Sequence, residues 1–194
     1  MELWTIQRKE VLEEINKKGY YAPLVKNTMA YKYGGGFKDG YELMVEELYK
    51  KDKRKKRNKY PVWAFLQPIN AAEFGVDEEG YIEIKLDIPD ERILLSDFSL
   101  YHCVLNNGYC SSSDEDYIKY LLKFFGSTEH FNLLPEFTIE EHDKYVRESW
   151  RNIFDVANTD TEDIQACFWF VGKEDVVSYR DISEKEFRKK EKDS

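Results

Sequence analysis

One short segment gathers groups able to move protons: Ser96, Asp97, His102 and Asn106. On a helix His102 and Asn106 are four apart and share a face, and Asp97 and Tyr101 form a similar pair beside them. A histidine near a carboxylate can act as a general base, because its unperturbed pKa lies at about 6.5. The competing structural role is equally concrete: Asp97 caps the helix and His102 satisfies a buried polar group. No nucleophile with an evident base accompanies them. A second set carries binding chemistry. Trp4, Trp63 and Trp169 each fall on a β-prone segment, with Thr5 and Gln7 next to the first and Gln165 ahead of the last. If those strands are neighbours, Thr5, Gln7, Trp63 and Gln165 line one cleft. There a ring stacks on a nicotinamide or a base and a glutamine reads an amide edge. The alternative places the tryptophans in the core.

Metal chemistry is not expected. His102, His130 and His142 form neither HxH nor HExxH, and Cys103 and Cys110 lack a zinc-ligand spacing. Gly34-Gly35-Gly36 lacks the lysine and hydroxyl of a P-loop and reads as a mobile loop that could lie over a ligand. Lys50 to Lys59, KKDKRKKRNK, holds eight basic residues and one acid. It suits a solvated helix end, a charged contact for a protein partner, or a contact for phosphate or nucleic acid. No aromatic residue interrupts it, which disfavours single-strand binding.

These residues sit in a chain of 194 residues, long enough to bury a core without staples. Residues 1–182 read as one domain, and 183–194 as a charged tail. Aromatic residues make up 15%, enough either for a compact core or for an aromatic cleft. The net charge is −9, and without the 50–59 run the remaining 21 basic and 37 acidic residues leave −16. Such a surface repels nucleic acid and anionic membranes except at a basic patch. No apolar run has the length of a membrane span, the start MELWTIQRKEV does not read as a secretory signal, and three cysteines fit reduced thiols. A soluble cytoplasmic protein with no membrane contact is expected.

Hydropathy periods give the scaffold. Leu3 to Ile6 predicts a strand. Val11, Leu12 and Ile15 predict a helix over 8–18 that ends at Gly19. Residues 20–37 read as irregular, and Asp39 as the cap of a helix carrying Tyr41, Met44, Val45 and Leu48. Strands are predicted over 60–67, over 81–88 with Glu83, Lys85 and Asp87 on a wet face, and over 164–171. Further helices are predicted after Ser96 or Asp97, after the run Ser111-Ser112-Ser113-Asp114, and after a capping box at Thr138–Glu141. Strands and helices do not alternate regularly, so the fold class is α+β, with a mixed or antiparallel sheet and flanking helices.

Several of these segments together resemble a bacterial family, domain of unknown function 3841. They are LWTIQ, YELMVEEL, YPVWAF, IPDERILLSDFSLYHCVLNN, ESWRNIFDV and IQACFWFVGKEDVV. At fold level, the early strand, the helix ending in glycine and the late strand beginning Gln-Ala resemble ADP-ribosyltransferase-like domains. That resemblance implies an NAD or nucleotide site. Thr5 and Gln7 would bind, Trp63 and Trp169 would supply rings, Gln165 would orient a ribose, and Asp97 and His102 would stand in for an acid. The DNA-modifying members carry Gln-Ala-Glu, whereas this chain has Gln165-Ala166-Cys167. Two functions are expected from these residues: an NAD- or nucleotide-binding or transferase domain, or a non-enzymatic regulatory module. The module would use the acidic surface and the 50–59 segment to bind a protein partner.

Overall fold

The computed structural model describes residues 1–54, 59–68 and 80–182. The chain runs β1 (Glu2–Arg8), α1 (Glu10–Lys18), β2 (Tyr20–Tyr21), α2 (Met29–Tyr33), α3 (Gly35–Lys51), β3 (Val62–Phe65), β4 (Tyr81–Asp87), β5 (Leu94–Asp97), α4 (Phe98–Leu105), α5 (Asp114–Phe125), α6 (Ile139–Ser149), β6 (Ile164–Phe168), β7 (Val171–Gly172) and β8 (Val176–Asp181). Six strands form one sheet in the order β5-β6-β3-β1-β4-β8, and β2 pairs with β7 beside it. Every ladder among the described residues is antiparallel, and the fold is α+β.

Local chemistry sets the helix ends. In α1 the acids Glu10 and Glu13 occupy the first turn and Lys17 and Lys18 the last, complementing the helix dipole. Gly19 ends it at φ 82°, a left-handed conformation that costs glycine least. Ser113 caps α5 by accepting from Asp116 N, and Thr138 and Glu141 form the reciprocal box at the start of α6.

Two apolar clusters hold the layers together. Val11 and Ile15 of α1 pack on Leu3, Val62, Ala64, Ile84, Leu86, Ala166 and Phe168 of the sheet. The second cluster joins Met44 and Leu48 of α3, Tyr101 and Val104 of α4, and Leu121 and Phe124 of α5. Trp150, Ile153, Cys167 and Trp169 complete it. A buried ion pair ties the β4–β5 connection to the β7–β8 turn. Arg92 donates to Asp175 Oδ1 at 2.6 Å and to the Phe170 carbonyl at 2.8 Å, while Asp175 Oδ2 accepts from Gly172 N.

Several expectations change here. Most of the glycine run is helical, not a loop: Gly35 and Gly36 open α3, and Gly34 is the non-helical residue between α2 and α3. A Cβ on Gly36 would sit 2.5 Å from the Leu105 carbonyl oxygen, so α3 and α4 approach closely only because this residue has no side chain. Asp39 therefore lies inside α3, where it accepts from Arg147 at 2.7 Å instead of capping. Glu83 is not on a wet face. Strand β8 lies alongside β4, and Arg180 Nε binds the Glu83 carboxylate at 2.8 Å, leaving Glu83 6% exposed. Residues 20–37 contain α2 and a 3₁₀ turn, Val25–Asn27. Residues 94–97, for which no strand is predicted above, form edge strand β5 on β6. The 55–58 part of the basic run and the 183–194 tail lie outside the described residues.

Candidate functional site

Strand β1 pairs with β4 along all of Glu2–Arg8, but with β3 only at Trp4 and Phe65. Past that pair the two strands part. Thr5 Oγ1 donates to the Trp63 carbonyl at 2.7 Å, and Gln7 Nε2 donates to Thr5 Oγ1 at 2.9 Å, so side chains take over where the ladder stops. Pro61, just ahead of β3, has no N–H to extend it. The parting opens a cleft of ≈ 400 Å³. Trp63, Phe65, Tyr21, Tyr41 and Tyr81 supply its rings. Ile6, Val62, Pro23 and Pro61 add apolar surface, and Thr5, Gln7, Asn27 and Thr28 are its polar members. None of these side chains is charged.

The outer wall is the 21–28 segment, fastened to the residues that lead into β3. Tyr60 N donates to the Pro23 carbonyl at 3.1 Å, and Leu24 and Lys59 form a β-bridge. Lys59 Nζ donates to the Ala22 carbonyl at 2.6 Å. Thr28 Oγ1 binds the Val25 carbonyl at 2.7 Å and accepts from Tyr31 N at the start of α2. The inner wall is aromatic. Trp63 stacks on Tyr101 at 5.1 Å and meets the edge of Tyr41 at 5.7 Å, and Tyr41 contacts Tyr60 at 5.4 Å.

Electrostatically this wall favours neutral groups. Burial, with a smaller contribution from Tyr60, pushes the Tyr41 phenol up to about 12. Burial also raises Tyr101, ahead of the effects of Tyr41, Cys167 and Tyr60. Tyr101 Oη is buried behind Trp63 without a hydrogen-bond partner among the described residues. An unpaired buried hydroxyl carries a desolvation penalty of about 1–3 kcal/mol.

The structure brings together three of the sequence-predicted residues, Thr5, Gln7 and Trp63. Gln165 is on the adjacent strand opposite Phe65, but it is 3% exposed and its Nε2 donates to Ser96 Oγ at 3.1 Å. Trp169 is in the core, 1% exposed, with its indole N–H on the Asp52 carbonyl at 2.7 Å. Asp97 caps α4 through Leu100 N at 2.8 Å and accepts from Thr159 Oγ1 at 3.0 Å. His102 Nδ1 binds the Phe98 carbonyl at 2.8 Å. His102 belongs to a separate depression with Cys103, Tyr109, Tyr117 and Tyr120. Asp97 and His102 are thus committed to separate local contacts and do not enter the cleft.

Sequence reasoning missed Tyr21, Tyr41, Tyr81, Asn27 and Thr28 as lining residues. Tyr41 had a legible signal: the buried line of α3 is Gly40, Met44 and Leu48, four apart, and Tyr41 falls one position off it. Among the described residues no group of three His, Cys, Asp or Glu could hold a metal, and no helix is long and apolar enough to cross a membrane.

A family model described as a domain of unknown function (DUF3841) matches residues 2–177, and the chain belongs to that family. No curated protein and no solved structure matches it.

Proposed function

We propose that this chain binds a planar, uncharged nitrogen heterocycle in the β1–β3 cleft, as part of NAD or another nucleotide. The observation that carries the reading is the convergence of Thr5, Gln7 and Trp63 on an aromatic cleft with no charged side chain among its described lining residues. Stacking of a base on an aromatic ring is worth about 1–3 kcal/mol. The Gln7 side-chain oxygen has no partner among the described residues and is an acceptor for an amide or amino edge.

The reading is one of binding rather than group transfer. The strand that resembles the catalytic strand of ADP-ribosyltransferase-like domains is buried throughout. Cys167, at the position of their glutamate, is 0% exposed, and burial raises its thiol. Neither Cys167 nor Gln165 faces the cleft.

Thermal melting with and without NAD tests the proposal. Ligand at about 100 times its Kd stabilises the folded state by about 2.7 kcal/mol, a visible shift. Gln7→Ala should lose most of that shift. Equal melting of the wild-type protein with NAD, nicotinamide, AMP and buffer alone would sink the proposal.

A further inference from the structure

We infer that the cleft selects heterocycles that carry an exocyclic N–H donor, of the adenine or nicotinamide type, over analogues that lack one. Thr5 sets this selectivity by fixing which end of the Gln7 amide faces the ligand. The inference rests on the cleft reading above and names the ligand class within it.

The hydrogen-bond polarity at this site runs one way. A carbonyl oxygen only accepts, so the contact of Thr5 Oγ1 with the Trp63 carbonyl at 2.7 Å uses the single hydroxyl proton. Towards Gln7 the Thr5 oxygen can then only accept, and the group 2.9 Å from it is the amide nitrogen. Thr5 is 1% exposed, so water does not compete for that hydroxyl. Both residues stand on β1, two apart, and the backbone of Gln7 is held by its pairing with Ile82 of β4. The Gln7 amide is therefore anchored through Thr5 to the backbone of Trp63, whose ring lines the same cleft. Its nitrogen is committed, and its oxygen, which accepts no hydrogen bond among the described residues, is left for a ligand.

A fixed acceptor discriminates by chemistry. The amino group of adenine or the carboxamide of nicotinamide presents an N–H to it. An analogue without that N–H covers the Gln7 oxygen and leaves it unpaired. A carboxylate analogue also brings a charge that no described lining side chain balances. The amide cannot adapt by turning over, because its oxygen would then meet the Thr5 oxygen, whose proton is already given to Trp63. An amide free to turn would accept or donate as the ligand required, so Thr5 is a positioning residue for the selectivity.

Titration calorimetry should compare two pairs of neutral probes: adenosine with purine riboside, which lacks the amino group, and nicotinamide with acetylpyridine, its methyl-ketone analogue. The wild-type protein should bind the N–H-bearing member of each pair at least about tenfold more tightly. Thr5→Val should bring both ratios close to parity, and Thr5→Ser, which keeps the hydroxyl, should retain the wild-type ratios. Melting without ligand checks that each variant is folded, and Thr5→Ala replaces the valine variant if that one is not. A purely structural role for Thr5 would weaken both members of a pair alike, and ratios unchanged in Thr5→Val would overturn its part in the inference. Equal binding within each pair by the wild-type protein would overturn the whole inference and leave the cleft reading standing. Failure of all four probes on the wild-type protein would remove both.

Discussion

Strand β1 has two neighbours and treats them differently. On the β4 side seven residues pair in register, and the apolar side chains of Leu3, Ile84 and Leu86 are sealed beneath α1. On the β3 side one pair forms, after which a threonine hydroxyl and a glutamine amide occupy the gap. The closed seam satisfies the backbone by itself and has no group left to offer. The open seam leaves polar side chains and rings facing a cleft, with an unpaired phenol behind them. Breaking the first should cost stability, and breaking the second should cost binding.

The largest effect is expected on the closed side. Ile84 is fully buried, and Ile84→Ala should lower the unfolding free energy by about 2–5 kcal/mol in a denaturant titration. Gln7→Ala on the open side should cost about 1 kcal/mol or less, because its one side-chain hydrogen bond among the described residues is to a side chain at the cleft. It should nevertheless weaken the NAD response at least tenfold. If the two variants destabilise equally, the contrast between the seams fails.

How far the sequence revealed this contrast depends on the range of the interactions. Helix ends were legible because caps are local: Ser113, Thr138 with Glu141, and Gly19 act within a turn. The alternation over β4 was legible, but its outer face was not, since Glu83 is covered by Arg180 from a strand far along the chain. The glycine run misled because low helix propensity resembles a loop, whereas Gly36 serves a close approach to α4. For the site, three aromatic strands could be suspected of adjacency, and Thr5, Gln7 and Trp63 do meet. Gln165 lies on β6, where every residue is buried, so alternation carried no information about which of its residues faces a cleft, and Trp169 falls one residue past the strand, in the core. The parting of β1 from β3 is a property of long-range register and leaves no local mark.

Smaller effects sharpen the comparison. Tyr101→Phe removes the hydroxyl that has no partner and should raise stability by about 1 kcal/mol in the free protein. A loss of stability would mean that this hydroxyl is satisfied. Tyr41 gives a pH signature. The folded state keeps its phenol neutral up to about 12, against 10.0 for a free tyrosine. Its contribution is complete below pH 10 and is lost as pH rises from there towards 12, because the unfolded chain ionises first. Tyr41→Phe should therefore flatten the fall in melting temperature across that window, and an unchanged slope would argue against a buried phenol.

Hydrogen–deuterium exchange with and without NAD tests the central claim most directly. Added protection is predicted in residues 5–8, 21–28 and 60–65, on both walls of the open seam, with none gained along β4 beyond Tyr81, which itself lines the cleft. Protection confined to other elements, such as α5 and α6, or absent from both walls of the cleft, would contradict it.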